Sequence, residues 1–444
     1  MKKIGMISLG CPKNTVDTEM VLGDLAHSGY EITPVQEEAD IIIVNTCGFI
    51  ESSKRESIDA ILDMARLKSE GQCKRLVVTG CLSERYSEEL QNDIPEIDFI
   101  LGVGQYPNLK DLLNAADDEN GNQVHDLAEY YESFGQRALT TPFYSAYLKI
   151  SEGCSHQCAF CYIPKIRGPF RSRRLESVVG EARMLAAKGV KEINLISQVT
   201  TLYGSDLRMK NGLVMLLESL SAIEGVEWLR LLYCYPTFLG TPLIDFIAGE
   251  EKVCNYIDVP LQHVDDGMLK KMKRQESEKE VRALIAEIRR KVPGIALRTT
   301  FITGFPGETD AQFKRLADFL GEAQFDHVGV FEYSDEEGTT AYDYPDRVPK
   351  KIARERREEL MRIQKEVSRC KNEALIGQVH PVLVGEMDDN YLLTGRFAFQ
   401  APDIDGQAII EETEAEPGQI LDMRITGSME YDLIARGEDQ AVKG

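Results

Sequence analysis

Three cysteines stand close together at Cys154, Cys158 and Cys161, in the run Cys-Ser-His-Gln-Cys-Ala-Phe-Cys, and three more stand far apart at Cys11, Cys47 and Cys81. Thiolates separated by three and then two residues can close a short loop around one soft-metal centre. Three of them bind three irons of a [4Fe–4S] cube and leave the fourth iron open to a ligand, whereas four would fill every position. A structural zinc loop is the competing reading. Zinc usually takes four ligands, and no second Cys/His pair follows nearby. The run at 146–150, Ala-Tyr-Leu-Lys-Ile, is a short apolar strand, and Ser-Glu-Gly turns out of it. The loop therefore leaves the C-terminal end of a strand, where barrel enzymes keep their chemistry.

The distant trio has its own regularity. Apolar runs at 4–9, 41–44 and 76–79 are each followed within about two residues by one of these cysteines, in Leu-Gly-Cys-Pro-Lys-Asn, Asn-Thr-Cys-Gly-Phe and Thr-Gly-Cys-Leu. A fourth run covers 99–101. Helical patterns at 16–28, 55–70 and 84–92 separate the runs, which predicts a βαβα order and a doubly wound parallel sheet. The C-terminal strand ends of such a sheet share one edge, so cysteines remote in sequence converge there. Three converging thiolates again fall one short of four and suit a second cluster with an open iron. Glycines at 10, 48 and 80 allow tight turns and close approach. The alternative for any one of these cysteines is a buried small hydrophobe. Cys73 precedes a strand, at the wrong edge; Cys234, Cys254 and Cys370 lack companion spacing and read as structural.

The pattern loosens over 127–143, which reads as a linker. Beyond it six strand runs, at 147–150, 192–196, 229–232, 256–259, 296–302 and 327–331, alternate with helices at 176–188, 213–222, 241–248, 277–291 and 310–323, a partial (β/α)6 barrel. Its strand ends carry Gln198, the Tyr-Cys-Tyr-Pro run at 233–236, Gln262 with His263, and Thr-Gly-Phe-Pro-Gly-Glu at 303–308, which leads into a helix N-terminus suited to an anion. Four arginines, Arg167, Arg171, Arg173 and Arg174, follow the cysteine loop; they suit an anionic cofactor or substrate, or else a solvated loop. An amphipathic helix over 349–373, with Leu360, Ile363 and Val367 on one face, leans on the barrel. The tail has short strands at 379–384, 391–394, 408–411 and 423–427 between turn sequences, a small OB-like β-barrel. The domains are thus 1–126, a linker 127–143, 144–375 and 376–444.

The chain has 444 residues, 43% hydrophobic and 28% charged, ample for sizeable cores in roughly three domains. The apolar run at the start is too short for a signal peptide and no later run approaches a membrane span. Ten cysteines without an export signal argue for reduced thiols serving metal in the cytoplasm. The net charge of −22 sits at the two ends: residues 1–140 hold 12 basic against 25 acidic residues, 141–375 hold 35 against 34, and 376–444 hold 4 against 14. Phosphate-binding surfaces are basic, so the acidic ends argue against nucleic acid and for a basic protein partner. Solubility alone is the plainer explanation.

The motif C-x-x-x-C-x-aromatic-C, with Phe160 before its last cysteine, resembles the signature of radical S-adenosylmethionine (SAM) enzymes. The resemblance implies a [4Fe–4S] cluster on Cys154, Cys158 and Cys161 whose open iron takes SAM and whose electron cleaves it to a 5′-deoxyadenosyl radical. By the same analogy Phe160 and Tyr162 lie near the adenine. Gln198 and Arg298 are candidates for SAM, Arg298 for its carboxylate; ordinary barrel-end hydrogen bonding is the alternative for both, and for Gln262 and His263. His263 is not read as a metal ligand.

Taken whole, the chain resembles the methylthiotransferases: a three-cysteine domain, a radical SAM barrel and a TRAM barrel. Ile-Pro-Lys-Ile-Arg-Gly-Pro-Phe-Arg-Ser-Arg and Asp-Val-Pro-Leu-Gln-His add to the resemblance. One branch of that family modifies an adenosine of transfer RNA; another modifies the β-carbon of an aspartate in the twelfth protein of the small ribosomal subunit. The acidic tail, with few aromatics to stack on bases, favours the ribosomal branch, as does Asn-Thr-Cys-Gly-Phe-Ile-Glu-Ser. The resemblance implies two clusters, the one on Cys11, Cys47 and Cys81 carrying sulfur that one SAM methylates while a second SAM supplies the radical. It also implies an electron donor protein and a sulfur source, and it expects the first cluster to face the barrel mouth; the lack of an apolar span argues against a membrane and the acidic tail against transfer RNA.

Overall fold

The computed structural model describes residues 1–114, 121–124, 137–411 and 413–437. The N-terminal domain is a parallel sheet whose strands run Glu31–Ile32, Lys3–Ser8, Ile41–Thr46, Arg75–Gly80, Phe99–Leu101 and Gly121–Gln123 across its width. Ile41–Thr46 and Arg75–Gly80 are buried at every position, as continuous aliphatic strands covered on both faces must be. The two outer strands, Glu31–Ile32 and Gly121–Gln123, are too short and polar to have been expected. The helices begin earlier than their apolar period suggests. Pro12–His27 starts directly after Cys11, with proline at its first position, and Cys81–Asp93 starts on Cys81 itself. Proline suits that position because its missing N–H has no partner there in any case.

Six parallel strands follow in sequence order across one open sheet, Ser145–Lys149, Glu192–Ile196, Trp228–Leu231, Val253–Asp258, Ala296–Thr303 and His327–Glu332. This is the partial barrel, with Leu175–Ala187, Gly212–Ser221, Thr241–Gly249, Glu278–Lys291 and Asp310–Ala323 outside it. The helix Lys350–Leu375 buries Leu360 and Val367 against it, with Ile363 packed beside them. On the other flank Val16 and Met20, from the first helix of the N-terminal domain, share an apolar cluster with Tyr147, Ile196 and Leu232 of the barrel.

The tail closes into a five-stranded barrel, Val379–Met387, Leu393–Phe397, Ala408–Glu411, Ile420–Ser428 and Leu433–Gly437. The second strand lies later than the expected 391–394 because Tyr391 takes φ +63° in the turn before it, a conformation outside the strand region. This barrel docks on the end of the larger one remote from the cysteine loop. Glu192, the first residue of its strand, accepts from Arg230 of the next strand and from Arg396 of the tail. Tyr147 and Tyr256 donate to Asp403 and Asp405 at 2.7 Å. Burial alone would raise the Glu192 carboxyl, but the Arg396 and Arg230 charges hold it well below the usual carboxylate range. Replacing Glu192 with alanine would strand two guanidiniums in a buried site, at a cost of about 3–5 kcal/mol. The expected result is a separate, lower-temperature unfolding step for the C-terminal barrel in calorimetry, with new proteolytic cleavage near residue 376.

The expected linker 127–143 lies outside the described residues up to 136. Its last part is no solvated strap. Arg137 is buried, donating to Glu19 of the first helix and to Glu181 of the barrel helix Leu175–Ala187, both at 2.7 Å.

Candidate active site between two cysteine trios

Cys11, Cys47 and Cys81 sit at the ends of three neighbouring strands, and the contacts around them are close. A Cβ on Gly10 would stand 2.6 Å from the Cys47 Cβ, and one on Gly48 would stand 2.8 Å from the Cys81 carbonyl. The backbone N–H of Cys47 donates to Ser57 Oγ, which donates back to the Cys47 carbonyl, each at 2.9 Å. Cys11 caps one helix and Cys81 opens another, so both sulfurs lie at helix N-termini, where partial positive charge favours thiolate. Burial nevertheless pushes the Cys81 thiol up to about 12, against the pull of Arg167.

The other trio lies on the loop that leaves the strand Ser145–Lys149. Its backbone is pinned at several points: Cys154 N–H donates to the Gly168 carbonyl, Cys161 N–H to Cys158, and Ala159 N–H to Met272. Gly153, at φ +77°, has no room for a Cβ, which would fall 2.2 Å from the Pro169 carbonyl. His156 stacks on Tyr235 at 4.2 Å. Arg274 covers the other part of that ring at 4.0 Å and brings a guanidinium nitrogen to 4.0 Å from Cys158 Sγ.

The two trios meet. Cys81 packs against Ile166, five residues beyond Cys161, with Tyr162 alongside. Between them lies a buried polar knot. Arg167, 1% exposed, donates to Asp17 at 3.1 Å, Glu152 at 2.9 Å and Asn14 at 2.5 Å, and its Nη2 lies 3.6 Å from Cys81 Sγ. Lys149 bonds Asp17 and Glu152 as well. Burial would raise the Glu152 carboxyl, but Arg167 and Lys149 hold it well below the usual range. Asp17 and Asn14 belong to the N-terminal domain and the others to the barrel, so the knot ties one cysteine trio to the other.

Both donor sets fit an iron–sulfur cluster. Among the described residues, no three cysteine, histidine or carboxylate groups are gathered tightly enough for one metal ion. A cubane would instead take three thiolates, each on a different iron; Cys11, Cys47 and Cys81 offer them from three turns, and Cys154, Cys158 and Cys161 from one loop. Gln198 fits a ligand beside the second trio: its Nε2 donates to Glu152 at 2.7 Å while its buried Oε1 has no partner among the described residues.

Other expected site residues fall differently. Phe160 packs with Met268, Met272, Ile302 and Phe305 at the strand ends. Tyr162 has Arg85 of the N-terminal domain over its ring at 4.0 Å and Lys165 at 5.2 Å. Arg298 has its Nε 3.5 Å from Asp405 of the tail, and among the described residues no contact joins it to the cysteine loop. The strand it belongs to begins two residues earlier, so a side chain there points into the layer that the tail fills. His263 uses both ring nitrogens within the protein, toward Glu308 and the Asp265 N–H. The helix after Gly304 and Gly307 caps itself with Thr309 and Gln312, which takes up part of the N-terminus where an anion was expected. Of the four arginines, Arg167 and Arg173 are buried in ion pairs, contrary to a solvated loop. Asn14, Asp17, Lys149, Glu152 and Arg274 were missed. The Lys-Asn pair after Cys11 was the available signal, since polar residues in the first turn of a buried helix need buried partners.

Three family models match the chain: the uncharacterized protein family UPF0004 over residues 3–102, the radical SAM superfamily over 148–320 and the TRAM domain over 376–437. Among solved structures, the fold is similar to the radical SAM methyltransferase TsrM from Kitasatospora setae, at a TM-score of 0.55 and 15% identity over 75% of each chain. It is also similar to the cobalamin-dependent SAM radical enzyme OxsB, at a TM-score of 0.51 and 13% identity over 82% of this chain and 56% of that one. Proteins named ribosomal protein uS12 methylthiotransferase RimO, from Trichlorobacter lovleyi and Geobacter sulfurreducens, are 49% identical over 98% of this chain and 98% of their own. Identity at that level across all three domains, on a fold that carries the radical SAM architecture, means that the chain belongs to the RimO family of ribosomal protein uS12 methylthiotransferases.

Proposed function

We propose that the chain is a radical SAM methylthiotransferase that adds a methylthio group to the β-carbon of an aspartate in ribosomal protein uS12. The observation that supports this reading is Arg167, whose guanidinium lies 3.6 Å from Cys81 of the first trio and pairs with Glu152, which introduces the loop of the second. When bound, a [4Fe–4S] cluster with SAM on Cys154, Cys158 and Cys161 supplies a 5′-deoxyadenosyl radical, and one on Cys11, Cys47 and Cys81 supplies methylated sulfur.

The chain's residues do the positioning. Glu152 and Gln198 line the cofactor side, Gln198 offering its free carbonyl oxygen to the SAM amino or hydroxyl groups. Phe160 backs the adenine from the strand ends. Arg274 sets a positive charge beside Cys158. An outside electron donor protein and a sulfur source complete the cycle, and a ribosomal substrate puts the work in the cytoplasm. No helix among the described residues is long and apolar enough to cross a membrane. The decisive experiment incubates reduced, iron-reconstituted enzyme with intact small subunits and with transfer RNA, and weighs both. A methylthio mass gain on the ribosomal protein is expected, and a gain on transfer RNA alone would overturn the reading.

The acidic C-terminal barrel is the expected guide for a basic partner. Asp389, Glu416 and Asp422 are exposed on it. Changing all three to lysine should weaken association with the ribosomal protein by roughly tenfold at low salt, with the difference fading as salt rises. Surface plasmon resonance across a salt series reads this directly. Unchanged affinity would remove the barrel from recognition.

A further inference from the structure

Lys13 is the second residue of the first helix and follows Cys11 by two positions. Its side chain leaves the N-terminal domain and enters the mouth of the barrel, where Nζ stands 2.8 Å from the centroid of the Tyr233 ring. The residue is 6% exposed, yet among the described residues its ammonium has no hydrogen bond and no carboxylate within ion-pair distance. Every other buried cation around it is paired: Arg167 and Lys149 with Asp17 and Glu152, Arg274 with Glu276. Buried charges in proteins are paired or they are neutralised. An aromatic face compensates only part of the desolvation of an ammonium.

The surface it meets is built and strained. Tyr233 follows the strand Trp228–Leu231 and holds φ +60°, a left-handed conformation that a residue with a side chain keeps only when its surroundings over-determine it. Here Asp258, at the end of the neighbouring strand, accepts the Tyr233 N–H at 2.9 Å, and Thr200 N–H donates to the Tyr233 carbonyl at 3.1 Å. These two bonds hold the Tyr233 backbone from both neighbouring strands, with its ring beneath the ammonium.

The geometry points to Lys13 as the group that binds the side-chain carboxylate of the substrate, and so as the residue that makes the enzyme specific for an aspartate. This rests on the ribosomal aspartate reading above. The carboxylate of an aspartate is bonded directly to the β-carbon, so a cation that holds it fixes the position of the reacting C–H within one bond. Lys13 follows Cys11 by two residues, and the ring beneath its ammonium stands two residues before Tyr235, which packs against Cys154 of the other trio. On this proposal a β-carbon anchored there would receive sulfur from the site at Cys11 and give up its hydrogen toward the strand ends. The carboxylate of SAM offers the same chemistry, and the negatively charged cluster beside Cys11 is a third possible partner; the experiment separates all three.

The reconstituted full-length enzyme, wild type, Lys13→Met and Lys13→Arg, is presented with the ribosomal protein carrying its native aspartate or an asparagine in that place. The readouts are hydrogen transfer from a β-deuterated substrate into 5′-deoxyadenosine, SAM cleavage without substrate, and iron content with the spectrum of each cluster. For the wild type, aspartate should outperform asparagine by about a hundredfold, the usual effect of losing one partner of a desolvated charge pair. In Lys13→Met the two substrates should become equal within about threefold, and Lys13→Arg should restore part of the preference. A methionine variant that still prefers aspartate overturns the proposal. So does loss of substrate-free SAM cleavage, which would assign Lys13 to the cofactor's carboxylate, or loss of iron or a changed first-cluster spectrum, which would assign it to the cluster. If the wild type modifies neither substrate, the ribosomal reading itself has failed, whereas an active wild type beside a methionine variant that keeps the preference fails only the role of Lys13.

Discussion

Replacing Cys47 with alanine is expected to abolish methylthio transfer, by roughly a thousandfold or more, while reductive cleavage of SAM continues. The two outcomes separate because the two trios are on different domains. Cys47 is held from the backbone side by Ser57, so the shorter side chain leaves the turn intact and removes only a thiolate. A cube held by two cysteines loses iron readily, and the iron content should fall from about eight per chain to about four. The mirror experiment is Cys158→Ala, which should keep about four irons on the other site and lose SAM cleavage altogether. Iron analysis, Mössbauer spectroscopy and chromatography of 5′-deoxyadenosine read both variants. Full sulfur insertion by the Cys47 variant would remove that trio from the chemistry, and eight irons retained in either variant would contradict the ligand assignment.

Arg167→Leu should have the second-largest effect, through the interface. This guanidinium neutralises Asp17 and Glu152, donates to Asn14 and reaches Cys81, all at sites that are nearly dry. Leucine would leave two carboxylates sharing Lys149 alone, a loss of about 3–5 kcal/mol. The cost falls on the contact between the N-terminal domain and the barrel. Amide exchange in the helix Pro12–His27 should therefore accelerate, and methylthio transfer should drop by roughly a hundredfold or more as the trios lose their mutual alignment. Arg167→Lys keeps the charge but not the planar fork that serves several acceptors at once, so it should recover only a fraction. Wild-type exchange rates and transfer in the leucine variant would show that the interface is held by its apolar contacts.

Much of the architecture was legible from the chain. Aliphatic runs such as Ile-Ile-Ile-Val at 41–44 mark parallel strands covered on both faces, and the alternation of such runs with amphipathic stretches carries the order of both α/β domains. The short outer strands escaped notice because two or three polar residues have no period to read. The second strand of the small barrel was misplaced because the left-handed turn at Tyr391 depends on a backbone angle that Tyr does not advertise. At the site, the spacing within Cys154–Cys161 is a local property, and so is the recurrence of a cysteine after each of three strands.

What the sequence determined by itself was therefore governed by neighbours along the chain: most of the strand and helix order, the spacing of the candidate cysteines, and the acidity of the two ends. Which groups face one another was decided only by the tertiary structure. Arg298 was drawn toward Asp405, and Tyr162 toward Arg85, by domains that lie more than seventy residues away in the sequence. Arg167, Asp17, Glu152 and Lys149 became one knot for the same reason. Side chains with long reach and full charge choose partners by burial and electrostatics across domains, and these are properties of the packed molecule that no local pattern encodes.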